Sequence, residues 1–134
     1  MKIKWYHLKI EGKMRQIQLP GIDPNTVNES YDDDVEIYIT ILRAFVDKIP
    51  VLLEKIRTVS SATLSDYAIK IHALKGSSGS IGARETMAEA ARLEAMAKSG
   101  DLDGILAGND VFLEKTRILI ENIKKWLEQS DAPA

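Results

Sequence analysis

The chain of 134 residues contains no cysteine and has only two histidines, His7 and His72. Without cysteine there can be neither a disulfide nor a thiolate metal site, which fits a reducing compartment such as the cytoplasm. Two histidines are too few for an ordinary histidine-based zinc centre unless carboxylates completed the ligand set. We therefore expect a cytoplasmic protein in which this chain holds no metal and no other cofactor.

The chain also lacks a strong excess of either charge and any long hydrophobic run. Its formal net charge is -2, and acidic and basic residues are mixed along it, so no basic face for nucleic acid or anionic lipid is indicated. The longest apolar runs, such as residues 51–53 and 118–120, fall far short of the roughly 20 residues that span a bilayer. We expect one compact, soluble domain that binds no nucleic acid and inserts into no membrane.

What the chain does have is a helical pattern, because apolar residues recur every three or four positions. The first such stretch covers about residues 32–58 and contains Pro50, which should kink the helix or split it in two. We favour a kink, since the apolar stripe keeps its phase across the proline. A second helix, capped by Ser61 or Thr63, is predicted to end at Gly82.

A third helix is predicted over about residues 83–98, and a fourth from near Asn109, whose side chain makes a good N-cap. Four amphipathic helices with short connections pack most simply as an antiparallel up-down-up-down bundle, so the predicted fold class is all-α. A shorter helix should precede the bundle, where Asp23 supplies a cap and Pro24 stands at the first helical position. We expect the bundle to be monomeric.

The chain divides into one domain and two flanking segments. Residues 1–19 alternate apolar and polar side chains, which indicates an extended segment, either a β-hairpin or a remnant of an upstream domain. Residues 20–130 form the bundle, and residues 131–134 form a frayed tail. His7 has no partner constellation around it in the sequence, so we interpret it as a structural or surface residue.

His72 is the candidate functional residue of the second helix. At about 100° per residue, Ile71 points to the core and His72 lies on the flank, at least partly exposed. Lys75 shares that face and can place its ammonium beside a group attached to the ring, unless it is an ordinary solvated lysine. Gly76 and Gly79 together cost on the order of 1 to 2 kcal/mol of helix stability. They either clear the approach to the ring or, equally for Gly79, let a neighbouring helix come near.

Glu94 is unusual because it falls on the inward stripe of the third helix, where a carboxylate needs a hydrogen-bonding partner. One candidate is the ring N–H of His72, which would fix the tautomer and aim the other ring nitrogen outward. The other is a nearby base such as Lys98 or Arg92. Both interpretations stand on the sequence alone.

The second and third helices carry, in order, His72-Ala73-Leu74-Lys75-Gly76-Ser77-Ser78, Gly82-Ala83 and Leu93-Glu94. This series resembles the signature of the histidine-containing phosphotransfer (Hpt) domain family, as found in hybrid sensor histidine kinases, and the likeness covers about residues 20–128. It implies a bundle in which His72 accepts a phosphoryl group from a receiver-domain aspartate and passes it to another receiver. By the same resemblance Lys75 steadies the phosphoryl oxygens, Gly76 clears the approach and Glu94 lies near the ring.

The resemblance implies a phosphoryl carrier of a two-component phosphorelay, not an enzyme with its own kinase site. Its partners would be the receiver domain of a response regulator or of a hybrid histidine kinase, and Mg²⁺ is expected on the receiver. The alternative is an interaction-only bundle that binds a receiver or kinase without forming phosphohistidine. A hydrolase with His72 as general base is disfavoured, because no nucleophile can be picked beside it.

Overall fold

The computed structural model of the protein describes residues 19–31 and 34–129. Five α-helices and one 3₁₀ turn make up this part: α1 Pro24–Tyr31, α2 Val35–Lys55, the turn Ser61–Thr63, α3 Leu64–Ser80, α4 Arg84–Lys98 and α5 Leu102–Gln129. The described ranges contain no strand, which confirms the all-α class for them. The predicted hairpin and tail lie outside the described residues.

The boundaries of α2 and α3 follow local signals in the sequence. The Asp34 carboxylate accepts the N–H of Ile37 at 3.2 Å and so caps α2. Although Pro50 removes one backbone donor, α2 runs on through it to Lys55, so the helix is not split. Helix α3 ends at Ser80. Two residues later Gly82 adopts a φ of 81°, in the left-handed region that glycine tolerates.

The prediction that the last helix begins near Asn109 is wrong. Helix α5 begins at Leu102, about two turns earlier, because the Asp101 carboxylate accepts the N–H of Gly104 and Ile105 is buried. Asn109 therefore lies inside the helix and is buried. Its amide accepts a hydrogen bond from the Tyr67 hydroxyl and donates one to the Ile56 carbonyl, both at 2.8 Å. It joins three segments of the chain and caps none.

The core lies between the helices, with α3 packed along α4, α4 along α5, and α2 against both α3 and α5. Tyr38 near the start of α2 donates to the Ile81 carbonyl at the end of α3, at 2.8 Å. Tyr31 of α1 donates to the neighbouring Ser80 carbonyl at 2.6 Å. Both bonds hold the C-terminal end of α3, while the up-down-up-down order of the whole bundle stays a prediction.

No helix in residues 19–31 and 34–129 combines the length and the apolar character needed to cross a bilayer.

Candidate functional site

His72 lies on the flank of α3, where the core-facing residues of the helix place it. Its neighbours Ile71 and Leu74 are both completely buried, so helical geometry turns the side chain between them away from the core. The His72 side chain is 65% exposed. The predicted exposure is confirmed, and the ring can be reached from solvent.

The ring is held from behind by Glu94 of α4. His72 Nδ1 lies 2.7 Å from Glu94 Oε2, and the glutamate side chain is only 5% exposed. The same oxygen accepts a hydrogen bond from Lys98 Nζ at 3.1 Å. Glu94 therefore contacts both His72 and Lys98, the two partners that the sequence left as alternatives. Arg92, the other predicted base, pairs instead with Glu89 at 3.8 Å.

Lys75 completes the set of donors around the carboxylate. Its Nζ donates to Glu94 Oε1 at 2.7 Å, and the lysine is one-third exposed. The hydrogen bond from Lys75 is the main reason why the pKa of Glu94 falls to about 2, with Lys98 and His72 lowering it further against the opposing effect of burial. Glu94 is therefore ionised at neutral pH.

The ionised carboxylate decides which ring nitrogen of His72 carries the hydrogen. A carboxylate only accepts hydrogen bonds, so His72 Nδ1 must donate to Glu94 Oε2. In the neutral ring the lone pair then resides on Nε2, the other nitrogen of an exposed side chain. This arrangement presents a nitrogen nucleophile to solvent and keeps a negative charge behind the ring.

The two glycines near His72 have different surroundings. A Cβ at Gly76, one turn after the histidine, would meet nothing within 4 Å, so the space beside the ring is open. A Cβ at Gly79 would come to 2.9 Å from Met87 Sδ of α4. Gly79 thus corresponds to close approach of two helices, whereas Gly76 corresponds to a clearing on the surface.

The sequence interpretation placed His72 and Lys75 on one face of α3 and named His72 or Lys98 as partners of Glu94, but it missed the bond from Lys75 to Glu94. The signal for Lys98 was available, because a glutamate and a lysine four residues later share a helix face. The distance across α3 and α4 was not available, since it depends on how the two helices pack.

A family model for the Hpt domain matches residues 40–126, which include every residue of this site. The chain belongs to the Hpt domain family. The resemblance in the sequence is thereby confirmed, and a helical bundle with a role in histidine phosphotransfer is what the family implies. Hpt domains are phosphocarriers without a kinase active site, and they interact with receiver domains and kinases of phosphorelays. Neither the search of curated proteins nor that of solved structures found a match.

Proposed function

We propose that this Hpt domain relays a phosphoryl group between receiver-domain aspartates, with His72 as the residue that carries it. The observation behind the proposal is the 2.7 Å contact between His72 Nδ1 and the buried Glu94 carboxylate. This contact supports a ring hydrogen on Nδ1, and we therefore take Nε2 as the nucleophile. We name Lys75 as the residue that stabilises the phosphoryl charge and Gly76 as the one that clears the approach.

The transfer step follows from this tautomer. The Nε2 lone pair attacks the phosphorus of an aspartyl phosphate, an N–P bond forms, and the P–O bond to the aspartate breaks. Its electron pair stays on the aspartate carboxylate, while the ring keeps its hydrogen on Nδ1 and gains a positive charge. Glu94, in contact with Nδ1, offsets that charge. In the second step an aspartate of another receiver attacks the phosphorus, and the N–P electron pair returns to Nε2.

The receiver supplies the remaining requirements of phosphoryl transfer. Besides an in-line nucleophile, the reaction needs neutralisation of the moving phosphoryl group and exclusion of water. We assign the magnesium ion to the receiver and the covering of the site to the contact between the two proteins. We further propose that the domain works as a cytoplasmic monomer with an up-down-up-down bundle, an order supported by the bonds from Tyr38 to Ile81 and from Asn109 to Ile56.

The test is transfer from a purified, phosphorylated receiver in the presence of Mg²⁺. The wild-type chain should acquire a label that is stable in base and lost in acid, and His72→Gln should acquire none. His7→Gln is the matched control, because it removes the other histidine of the chain and should keep the label. Circular dichroism should show that both variants are folded.

Two outcomes would contradict the proposal. If a panel of phosphorylated receivers leaves the wild-type chain without label, His72 is not a phosphoryl carrier for them. If wild type and His72→Gln also bind a receiver equally well without label, the domain is an interaction-only bundle.

A further inference from the structure

Two lysines from different helices divide the two oxygens of Glu94 between them. Lys75 of α3 donates to Oε1, whereas Lys98 of α4 donates to Oε2, the oxygen that also receives His72 Nδ1–H. Lys98 stands in the last turn of α4, one turn after Glu94. It is two-thirds exposed, so its stem can follow the surface while its ammonium reaches the carboxylate.

This division matters because Lys75 has two tasks under the proposed function. In the unphosphorylated chain its ammonium is engaged by Glu94, yet a phosphoryl group on Nε2 would draw it toward the new negative charge. When Lys75 turns, Glu94 loses the hydrogen bond that lowers its pKa most. An ionised carboxylate that is nearly buried and has lost a cation is unfavourable in free energy. Taking up a proton removes the charge and so relieves that cost. A protonated Glu94 would no longer stabilise the charged ring.

We propose that Lys98 is a positioning residue that keeps Glu94 ionised and bound to His72 Nδ1 while Lys75 turns to the phosphoryl group. The inference rests on the proposed function of His72. Lys98 suits this task because it belongs to the same helix as Glu94 and contacts the oxygen that holds the ring. Lys75 is the cation that moves, and Lys98 is the cation that stays.

The charged groups around Glu94 come from two helices. His72 and Lys75 face it from α3, and Lys98 faces it from α4. Helix α5 also packs against α4, but its Lys115 pairs with Glu85 and Glu89. Within the described residues no charged group of α5 pairs with Glu94, so Lys98 is the cation left when Lys75 departs.

The kinetic test compares Lys98→Gln with Lys98→Arg, and with Lys124→Gln as a matched control. Lys124 is an exposed lysine of α5 that pairs with Glu121 at 3.5 Å. At saturating phosphorylated receiver, Lys98→Gln should accept the phosphoryl group about fivefold more slowly, whereas Lys98→Arg and the control should stay within about twofold of wild type. The acid limb of the rate profile should move to higher pH in Lys98→Gln alone.

A small phosphodonor separates positioning from docking. Labelling by phosphoramidate needs no receiver surface, so Lys98→Gln should slow it by a similar factor. If Lys98→Gln only raises the half-saturating receiver concentration, and leaves the saturating rate and phosphoramidate labelling unchanged, Lys98 belongs to the docking surface and the proposal is wrong.

A spectroscopic test needs no phosphoryl transfer at all. Lys75→Gln mimics the departure of that lysine, and ¹⁵N NMR of the His72 ring should still show the Nδ1–H tautomer. Adding Lys98→Gln should reduce that tautomer at least twofold, and Lys98→Arg in the same background should restore it. An unchanged tautomer in the folded double variant would overturn the inference. Absence of label on the wild type would instead refute the proposed function. The tautomer comparison would still show whether Lys98 keeps Glu94 bound to His72 Nδ1.

Discussion

Burial of the Glu94 carboxylate and its hydrogen-bonding partners have opposite effects on its pKa. Burial raises the pKa of a carboxyl group, whereas the bonds from Lys75, Lys98 and His72 lower it, and for Glu94 the bonds prevail. The balance has a chemical consequence, because only an ionised Glu94 obliges His72 to donate through Nδ1. The tautomer of the His72 ring is therefore selected by a residue on another helix.

The acid side of the stability curve should report the charge of Glu94. With a pKa of about 2 in the folded chain and about 4.3 in an unfolded one, the ionised group stabilises the fold fully above about pH 4.5. That contribution is lost as pH falls toward 2, because the unfolded chain then binds more protons than the folded one. Glu94→Gln should be less stable than wild type at pH 7, and the gap should narrow below pH 4.5.

Urea unfolding followed by circular dichroism at a series of pH values measures this difference. Glu121→Gln provides the control, because Glu121 is an exposed glutamate of α5 that also pairs with a lysine. Its curve should run nearly parallel to that of wild type. A constant gap between wild type and Glu94→Gln from pH 7 to pH 2 would contradict the assignment of an ionised, lysine-bound Glu94.

The glycines that follow His72 in α3 lower the stability of that helix. Gly76 is exposed and has open space where a Cβ would be, so Gly76→Ala should stabilise the fold by about 0.5 to 1 kcal/mol. Gly79→Ala should gain less, since the new methyl group meets Met87 Sδ and this flexible side chain must shift. If the clearing serves a receiver, Gly76→Ala should accept phosphoryl groups more slowly although it is more stable.

Thermal unfolding and receiver labelling of both variants check this prediction. Gly76→Ala should raise the melting temperature by about 2 to 5 °C, and Gly79→Ala should change it by less. Slower labelling should be seen from a receiver but much less from phosphoramidate, which needs no room for a protein surface. A Gly76→Ala variant that labels as fast as wild type from every receiver would show that the open space has no role in docking.

The helices were predictable from the sequence to different degrees, for physical reasons. Apolar periodicity was sufficient for α2, α3 and α4, because each buries one stripe and ends at a cap or a glycine. The start of α5 was missed because Asn109 is typical of an N-cap, while its actual partners, Tyr67 and Ile56, are 42 and 53 residues away. A polar residue whose bonds are satisfied across helices cannot be told from a cap by local sequence alone.

The candidate site, too, was only partly predictable, because local sequence does not specify contacts between helices. Helical spacing was enough to put His72 and Lys75 on one face and to mark Glu94 as a carboxylate in need of a partner. Which partner it finds depends on the separation and rotation of α3 and α4, where Gly79 lets Met87 approach. Since those quantities arise from packing, the sequence left two partners open for Glu94, and the structure contains both.

At the scale of the whole molecule, the folded unit extends beyond the part that the family model matches. The match begins at residue 40, yet Leu19, Ile22 and Val27 are buried in the common core. The Asp23 N–H donates to the Gly82 carbonyl at 2.9 Å, which ties the chain before α1 to the end of α3. Helix α1 therefore packs into the same core as the bundle that carries His72, and we expect the two to unfold together.

Val27→Ala tests whether α1 unfolds together with the bundle. Val27 is fully buried, so the substitution should cost about 1 to 3 kcal/mol, and it should shift one common transition seen by circular dichroism and by tyrosine fluorescence. Val51→Ala, the same change at an exposed site of α2, should be nearly neutral. Labelling per folded molecule should be unchanged in both, because Val27 of α1 packs beside Gly82. Gly82 comes just after the end of α3 at Ser80, which is about 12 Å along the helix from His72. A separate early transition in Val27→Ala would mean that α1 folds independently of the bundle.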